Sequence, residues 1–244
     1  MDDGYGGDYE VKYDGRADVT ETTIQDLQMD CYYRIKIQAV TEQGSGPFTQ
    51  VSHIRVGTTH IWEEDFDKNG ILYAIGTDDN TKLFANPAHQ RKVVCTRASD
   101  GSGSASLMCN RDQCDSKTLN QPRQFYSIDL GEHRRVFLTH YTIRGNCNTS
   151  AEQIRSWWFQ GAQTENDWVM LDKREDDKSI EKSGSSQTFE VTTPEAKDKT
   201  FRYFRIVQIG KNSTYNHRMH ITGFEIYGTL ISNLYGNYTA PGPK

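Results

Sequence analysis

The chain has 244 residues, of which 35% are hydrophobic and 25% charged, and its formal net charge is −5. That is enough apolar material for one or two packed domains. An acidic balance without a clustered basic face excludes the electrostatic footprint of a nucleic-acid binder, and no apolar run is long enough to cross a bilayer as a helix.

The chain opens on "MDDGYGGDYE". This stretch is acidic and glycine-rich, unlike a secretory leader, which predicts a cytoplasmic protein. "RIKIQAV" alternates from Arg34 to Val40 and predicts a strand. A first segment ends near Val56 to Thr59. "DFDKNG", from Asp65 to Gly70, matches the first half of an EF-hand loop. The twelfth position, where a bidentate Glu is needed, is Gly76. "GILYAIGT" reads as a strand, so the EF-hand assignment fails. Period-2 stretches follow in "HYTIRG", "QTFEVTT" and, from Phe201 to Gly210, "FRYFRIVQIG". Separated by Gly, Asn, Asp and Ser clusters, they predict antiparallel sandwiches or barrels. Helical periodicity is scarce; "TSAEQIRSW" predicts at most a short turn capped by Thr149 or Ser150. The Pro/Gly-rich end predicts a flexible tail over residues 231–244.

Two resemblances give these segments a fold. "YEVKY" and "TTIQDLQMDCYYRIKIQAVTEQGSGPF" resemble the second half of a fibronectin type III domain. Leu27 and Tyr33 stand at the spacing of that family's tyrosine corner, and Ala39, Gly44 and Gly46 match its following strand and turn. Only the later strands are present, so residues 1–59 read as a partial domain lacking its first strands. From residue 60 to 230 the chain resembles the discoidin, or coagulation factor 5/8 type C, domain. The matching stretches are "FYSIDLGEHRRVFLTHYTIRG", "IRSWWFQGAQTENDWVMLDKRED", "FRYFRIVQIGKN" and "HITGFEIYGTL". The version most similar is the intracellular one of HECT ubiquitin ligases and BTB adaptors, and "DFDKNGILYAIGT" resembles its opening strand. The expected fold is all-β: an incomplete fibronectin type III sandwich followed by a discoidin-like jelly-roll β-sandwich. The resemblance also implies a possible structural calcium at Asp65, Asp67 and Asp78, with Asp79 nearby; no other cofactor is expected.

Catalytic signatures are missing. No G-x-S-x-G elbow, P-loop, Rossmann fingerprint or H-E-x-x-H helix occurs, and "REDD" (174–177) reads as a solvated turn. The five cysteines, Cys31, Cys95, Cys109, Cys114 and Cys147, are odd in number and read as reduced, mostly buried thiols. Cys109 and Cys114, followed by His133 and His140, lack the tight paired spacing of a zinc site. Sequons at Asn148, Asn212 and Asn237 count only in a secreted chain.

A binding role fits better, since discoidin domains meet ligands at loops on one end of the sandwich. Three stretches fall at expected strand ends and predict a polar, net-basic rim: Arg144 and Asn146; Lys173 and Arg174; and Gln208, Lys211, Asn212, His217 and Arg218. Guanidinium forks and amides suit carboxylates, phosphates or sugar hydroxyls. A protein segment is the expected partner. A glycan, for an extracellular adhesion protein, is the alternative. No nucleic acid and no membrane insertion are expected: the loops offer only Leu107 and Met219 as apolar tips. Trp157 and Trp158 are adjacent and predict one inward and one outward ring. Arg202 and Arg205 predict opposite faces by the same reasoning.

Overall fold

A computed structural model describes residues 1–2, 7–15, 22, 24, 27, 32–55 and 57–232. Cys31, Asn237 and the chain from 233 onward lie outside them. The chain divides into two compact units, one of Met1–Thr58 with Ile231–Lys244 and one of Thr59–Leu230.

In the first unit, β1 (Tyr32–Ile35) pairs with β4 (Ser52–Arg55), and β2 (Gln38–Thr41) pairs with β3 (Gly44–Phe48). The single strand expected over 34–40 is therefore two strands. They bond different partners, and between them Ile37 turns its amide to Thr49 Oγ1 at 3.0 Å. Gly44 takes φ +129 just after the two-residue turn, a backbone state that L side chains avoid. Tyr33 is buried beside Met1, with Ile24, Leu27 and Ile35 packed against them. Asp2 is also buried, and its carboxylate accepts the Arg34 amide at 2.8 Å and Nε at 2.6 Å.

The second unit is a sandwich of two sheets. One has five strands in the order β10-β9-β12-β7-β6, built from β6 (Val94–Arg97), β7 (Phe125–Asp129), β9 (Trp157–Ala162), β10 (Val169–Arg174) and β12 (Tyr203–Gln208). The other has four in the order β11-β8-β13-β5, from β5 (Thr58–His60), β8 (Arg134–Arg144), β11 (Ser186–Glu190) and β13 (Gly223–Ser232). Residues 231 and 232 thus close a strand instead of opening the tail. A short helix α2 (Pro194–Asp198) connects β11 to β12.

Alternation sets the faces. Tyr126, Ile128, Phe159, Phe204 and Ile206 are fully buried, while their strand neighbours Phe125, Ser127, Asp129, Arg205 and Val207 are half-buried on the opposite face. Trp157 points inward as one of the expected pair and Trp158 outward. The core rings interlock: Tyr141 stacks on Phe159 at 3.9 Å between centroids, and Trp157 meets Phe189 edge-on at 5.4 Å. The Trp157 Nε1–H donates to the Tyr141 hydroxyl at 3.1 Å, which donates to Asp172 at 2.7 Å. Burial, then the neighbouring Asp172 charge, pushes the Tyr141 phenol well above its ordinary range.

The opening segment corrects one expectation. "GILYAIGT" is not a strand; Ile71–Thr77 form helix α1. Ile71, Leu72 and Ile75 lie at helical spacing and all are buried. Its first turn has no side-chain cap at Gly70. The capping group comes from β13 instead: Glu225 accepts the Leu72 amide at 2.7 Å and the Tyr73 amide at 3.1 Å. A carboxylate there satisfies orphan helix donors and favours the positive end of the helix dipole. A Cβ on Gly70 would overlap the Glu225 carboxyl group.

Candidate functional site

Strand register gathers the three predicted stretches at one end of the sandwich. In the five-stranded sheet Arg174 lies opposite Trp157, and Trp157 opposite Gln208. In the four-stranded sheet Arg144 lies opposite Ser186 at the end of β8. The loop after β8 meets the loop after β12, where the Gln153 amide donates to Ser213 Oγ at 3.0 Å and the Ser213 amide to the Gln153 carbonyl at 2.9 Å.

Four of the nine predicted residues are buried there. Arg144 is 7% exposed, and its guanidinium donates to the carbonyls of Arg111 (2.6 Å), Asn110 (3.0 Å), Asp112 (2.7 Å) and Thr222 (2.8 Å). Asn146 holds the Ala151 carbonyl and the Asn148 amide. Gln208 donates to Gly210 at 2.9 Å, and Asn212 spends both amide atoms within its own loop. Buried polar groups need such partners, so these side chains shape the loops and are not presented on their surface. The sequence signal was the same for both roles, since a polar residue at a strand end can turn either way.

The other five reach solvent or stand half-buried. Lys173 pairs with Glu175 at 2.7 Å. Arg174 bonds Asp172 at 2.7 Å and lies 4.5 Å over the Phe189 ring. Lys211 is exposed, and the His217 amide donates to Asn120 Oδ1 at 2.8 Å. Arg218 pairs with Glu152 at 3.1 Å.

Glu152 organises the rim, although it carries no motif. Its carboxylate accepts from Asn216 Nδ2 at 2.8 Å, Arg218 at 3.1 Å and His220 Nε2 at 2.9 Å. Burial opposes its charge, but the hydrogen bonds from His220, Asn216 and Arg218 outweigh it and hold the carboxyl below its ordinary range. His220 is buried, which lowers its basicity despite the Glu152 partner. The neutral tautomer that fits carries its proton on Nε2, toward Glu152. Tyr215 completes the rim. It is 81% exposed and takes φ 60, a left-handed conformation costly for a bulky residue. Asn212 enforces it: its Oδ1 accepts the Thr214 and Asn216 amides at 3.0 and 3.2 Å, and its carbonyl accepts the Tyr215 amide at 3.0 Å.

Asp65, Asp67 and Asp78 are not brought together. Asp65 accepts the Ser186 and Thr188 hydroxyls at 2.8 and 2.6 Å. Asp67 accepts the Glu63 and Asn69 amides at 2.9 and 2.8 Å. Asp78 pairs with Lys82 at 2.6 Å and with Lys92, and hydrogen bonds from these two hold its carboxyl down to about 2. Among the described residues no group of three or more His, Cys, Asp and Glu is placed to hold a metal ion.

Met219 is 1% exposed and is no apolar tip. Thr149 Oγ1 accepts the Ala151 amide at 3.0 Å, a turn without a helix. Trp62 stacks on His140 at 5.2 Å. Arg202 precedes β12, so strand alternation does not govern it, and it forms a two-point bond with outward-facing Asp129 at 2.5 and 2.7 Å. Arg205 lies 4.0 Å over Trp168 and donates to Gln160 at 2.7 Å. With Tyr203, Phe125 and Val94 they line a depression of about 390 Å³ on the outer face of the five-stranded sheet. Among the described residues no helix is long and apolar enough to cross a membrane.

The sequence relatives that the chain matches are much longer proteins. The chain is 34% identical over 173 residues to the E3 ubiquitin-protein ligase hecd-1 of Caenorhabditis elegans, covering 68% of this chain and 6% of the ligase. It is 30% identical over 184 residues to the E3 ubiquitin-protein ligase Ufd4 of Drosophila melanogaster, covering 72% of this chain and 7% of that protein. A BTB/POZ domain-containing protein of Arabidopsis thaliana is 27% identical over 68% of this chain and 21% of its own length. The chain therefore spans less than a tenth of the two ligases. No family profile matches it. Among solved structures, a CBM32 module of Clostridium perfringens in complex with GalNAc-β-1,3-galactose superposes with TM-score 0.46 at 12% identity, over 57% of this chain and 97% of that one. A fucolectin from striped bass serum superposes with TM-score 0.44 at 17% identity, over 58% of this chain and 47% of that one. These likenesses are remote, and the sandwich assignment rests on the strand order and register described above.

Proposed function

We propose that residues 60–230 form a non-catalytic, discoidin-like recognition module that binds a protein segment through the loop end of the sandwich. We propose further that it serves a cytoplasmic ubiquitin-ligase or scaffold protein, with residues 1–59 as a partial fibronectin type III domain before it. One observation carries the reading: an exposed Tyr215 held in a left-handed backbone state by the buried Asn212. Strain of this kind is maintained where the surrounding structure over-determines it, and it clusters at functional sites. A rigid aromatic on the same loop as the exposed Lys211 and Arg218 suits an acidic segment carrying an apolar or aromatic anchor. The buried amides behind the loop supply preorganisation, so little ordering cost falls on binding. The relatives in ubiquitin ligases and a BTB protein support a protein partner. No cation is part of this proposal.

A glycan reading is favoured by one feature of the same rim. Tyr215 directly precedes Asn216, which joins Arg218 and His220 on Glu152. An aromatic face next to paired donors and acceptors also suits a sugar ring. A displayed random-peptide library and a glycan array, probed with the same protein, separate the two. The proposal expects acidic peptides whose affinity falls about fivefold or more in Lys211→Glu and Tyr215→Ala. Glycan binding without peptide enrichment overturns it in favour of the second reading.

A further inference from the structure

Four cysteines are described, and all are free. Two of them are neighbours in space. Cys95 lies on β6, the edge strand of the five-stranded sheet, and faces inward between the exposed Val94 and Thr96. Cys109 closes the 3-10 turn Ala105–Cys109, which packs on β6. Their sulfur atoms are 3.4 Å apart. Cys109 is 3% exposed, whereas Cys95 is half-buried at the edge. The other two thiols have different partners. Cys147 contacts the Thr222 hydroxyl at 2.8 Å, and Cys114 the Thr222 carbonyl at 3.3 Å.

We propose that Cys95 and Cys109 are a dithiol modification site that closes to an intramolecular disulfide when the protein meets a peroxide. The proximity of the two sulfurs supplies the geometry, and the edge position of Cys95 supplies access. The Cys95 thiol gives up its proton and the thiolate attacks a peroxide oxygen; the O–O bond breaks, the leaving alkoxide or hydroxide takes up that proton as alcohol or water, and Cys95 becomes a sulfenic acid. The Cys109 thiol then attacks that sulfur and the S–O bond breaks. Water leaves, carrying the Cys109 proton, and the S–S bond forms. The two sulfurs lose two electrons in all, and the peroxide gains them. The hydrogen bond with Cys95, then burial, disfavours the Cys109 thiolate, which suits Cys109 to the resolving role and leaves the first attack to the more accessible Cys95. The bond would tie β6 to the turn that packs on it and restrict the unfolded chain across a loop of about 15 residues, a stabilisation of the folded state.

The test uses the full chain, reduced, desalted and exposed to dilute hydrogen peroxide. Intact mass is expected to fall by two hydrogens. Digestion without reductant is expected to yield one linked pair of peptides containing Cys95 and Cys109. The thermal midpoint should rise by about 6 °C or more and return on adding a thiol. Cys95→Ser should abolish the cross-link and the rise. This variant sits at the strand edge, so the test survives even if Cys109→Ser does not fold. Stable sulfinic acid at Cys95 without cross-linking, or a cross-link that uses Cys114 or Cys147, overturns the proposal.

Discussion

Replacing Glu225 with Gln tests how the first unusual element of the sandwich is held. Glu225 is 1% exposed and accepts the amides of Leu72, Tyr73 and Ile226, while Arg111 lies 3.4 Å away. Burial pushes its carboxyl from the ordinary 4.5 up to about 7, against the opposing pull of Arg111 and the three amides. The unfolded chain releases this proton near the ordinary value. Between the two values the native state holds a proton that the unfolded state lacks, so stability falls as pH rises. The contribution is fully present below pH 4.5 and is lost as pH passes 7. At about 1.4 kcal/mol per pKa unit, the loss is about 3 kcal/mol. Glutamine resembles the protonated acid but has one acceptor where the carboxylate has two. It therefore imposes a pH-independent cost of about 1–3 kcal/mol for one amide left facing a donor. Urea unfolding of both proteins between pH 4.5 and 8 gives the comparison. The stability of wild type relative to Glu225→Gln should fall by about 3 kcal/mol across that range. Parallel stability curves would refute the claim that a buried, proton-exchanging carboxyl caps α1.

Four further outcomes follow from the geometry. Arg144→Met removes four hydrogen bonds, one from Nη1 and three from Nη2, to the carbonyls of 110–112 and Thr222 and should cost about 3 kcal/mol or more by urea unfolding. Gly70→Ala should be comparably destabilising, because its methyl group meets the Glu225 carboxyl; equality with wild type would show that the α1–β13 contact relaxes freely. Arg174→Ala loses its Asp172 bond and its Phe189 contact and should cost about 1 kcal/mol, whereas His217→Ala and Tyr215→Ala should leave the thermal midpoint nearly unchanged. Hydrogen exchange should be faster in the two-stranded β2–β3 pair than in β7 and β12, where each strand has a neighbour on both sides and a buried face.

The strands of the sandwich were legible because most have one face in the core. Phe204 and Ile206 point in while Tyr203 and Arg205 point out, so "FRYFRIVQIG" alternates visibly. Helix α1 was hidden by its length. Seven residues give barely two turns of periodicity, and its cap lies 153 positions away on Glu225. The loop end was found from its polar strand termini. Its internal division was not, because Arg144 is satisfied by carbonyls of distant segments, Asn110 to Asp112 and Thr222, while Asn146, Gln208 and Asn212 turn back into their own loops. Glu152 and Tyr215 carry no signature at all; their roles arise from where the chain folds over Asn212 and Asn216.

Recognition is assigned to the rim formed by residues 148–152, 173–174 and 211–220. Amide chemical shifts followed during titration with a library-selected acidic peptide test it most directly. Shifts should concentrate in those three stretches and be abolished by Tyr215→Ala. Shifts centred on Val94, Trp168, Tyr203 and Arg205 would place recognition on the outer face of the five-stranded sheet and contradict it.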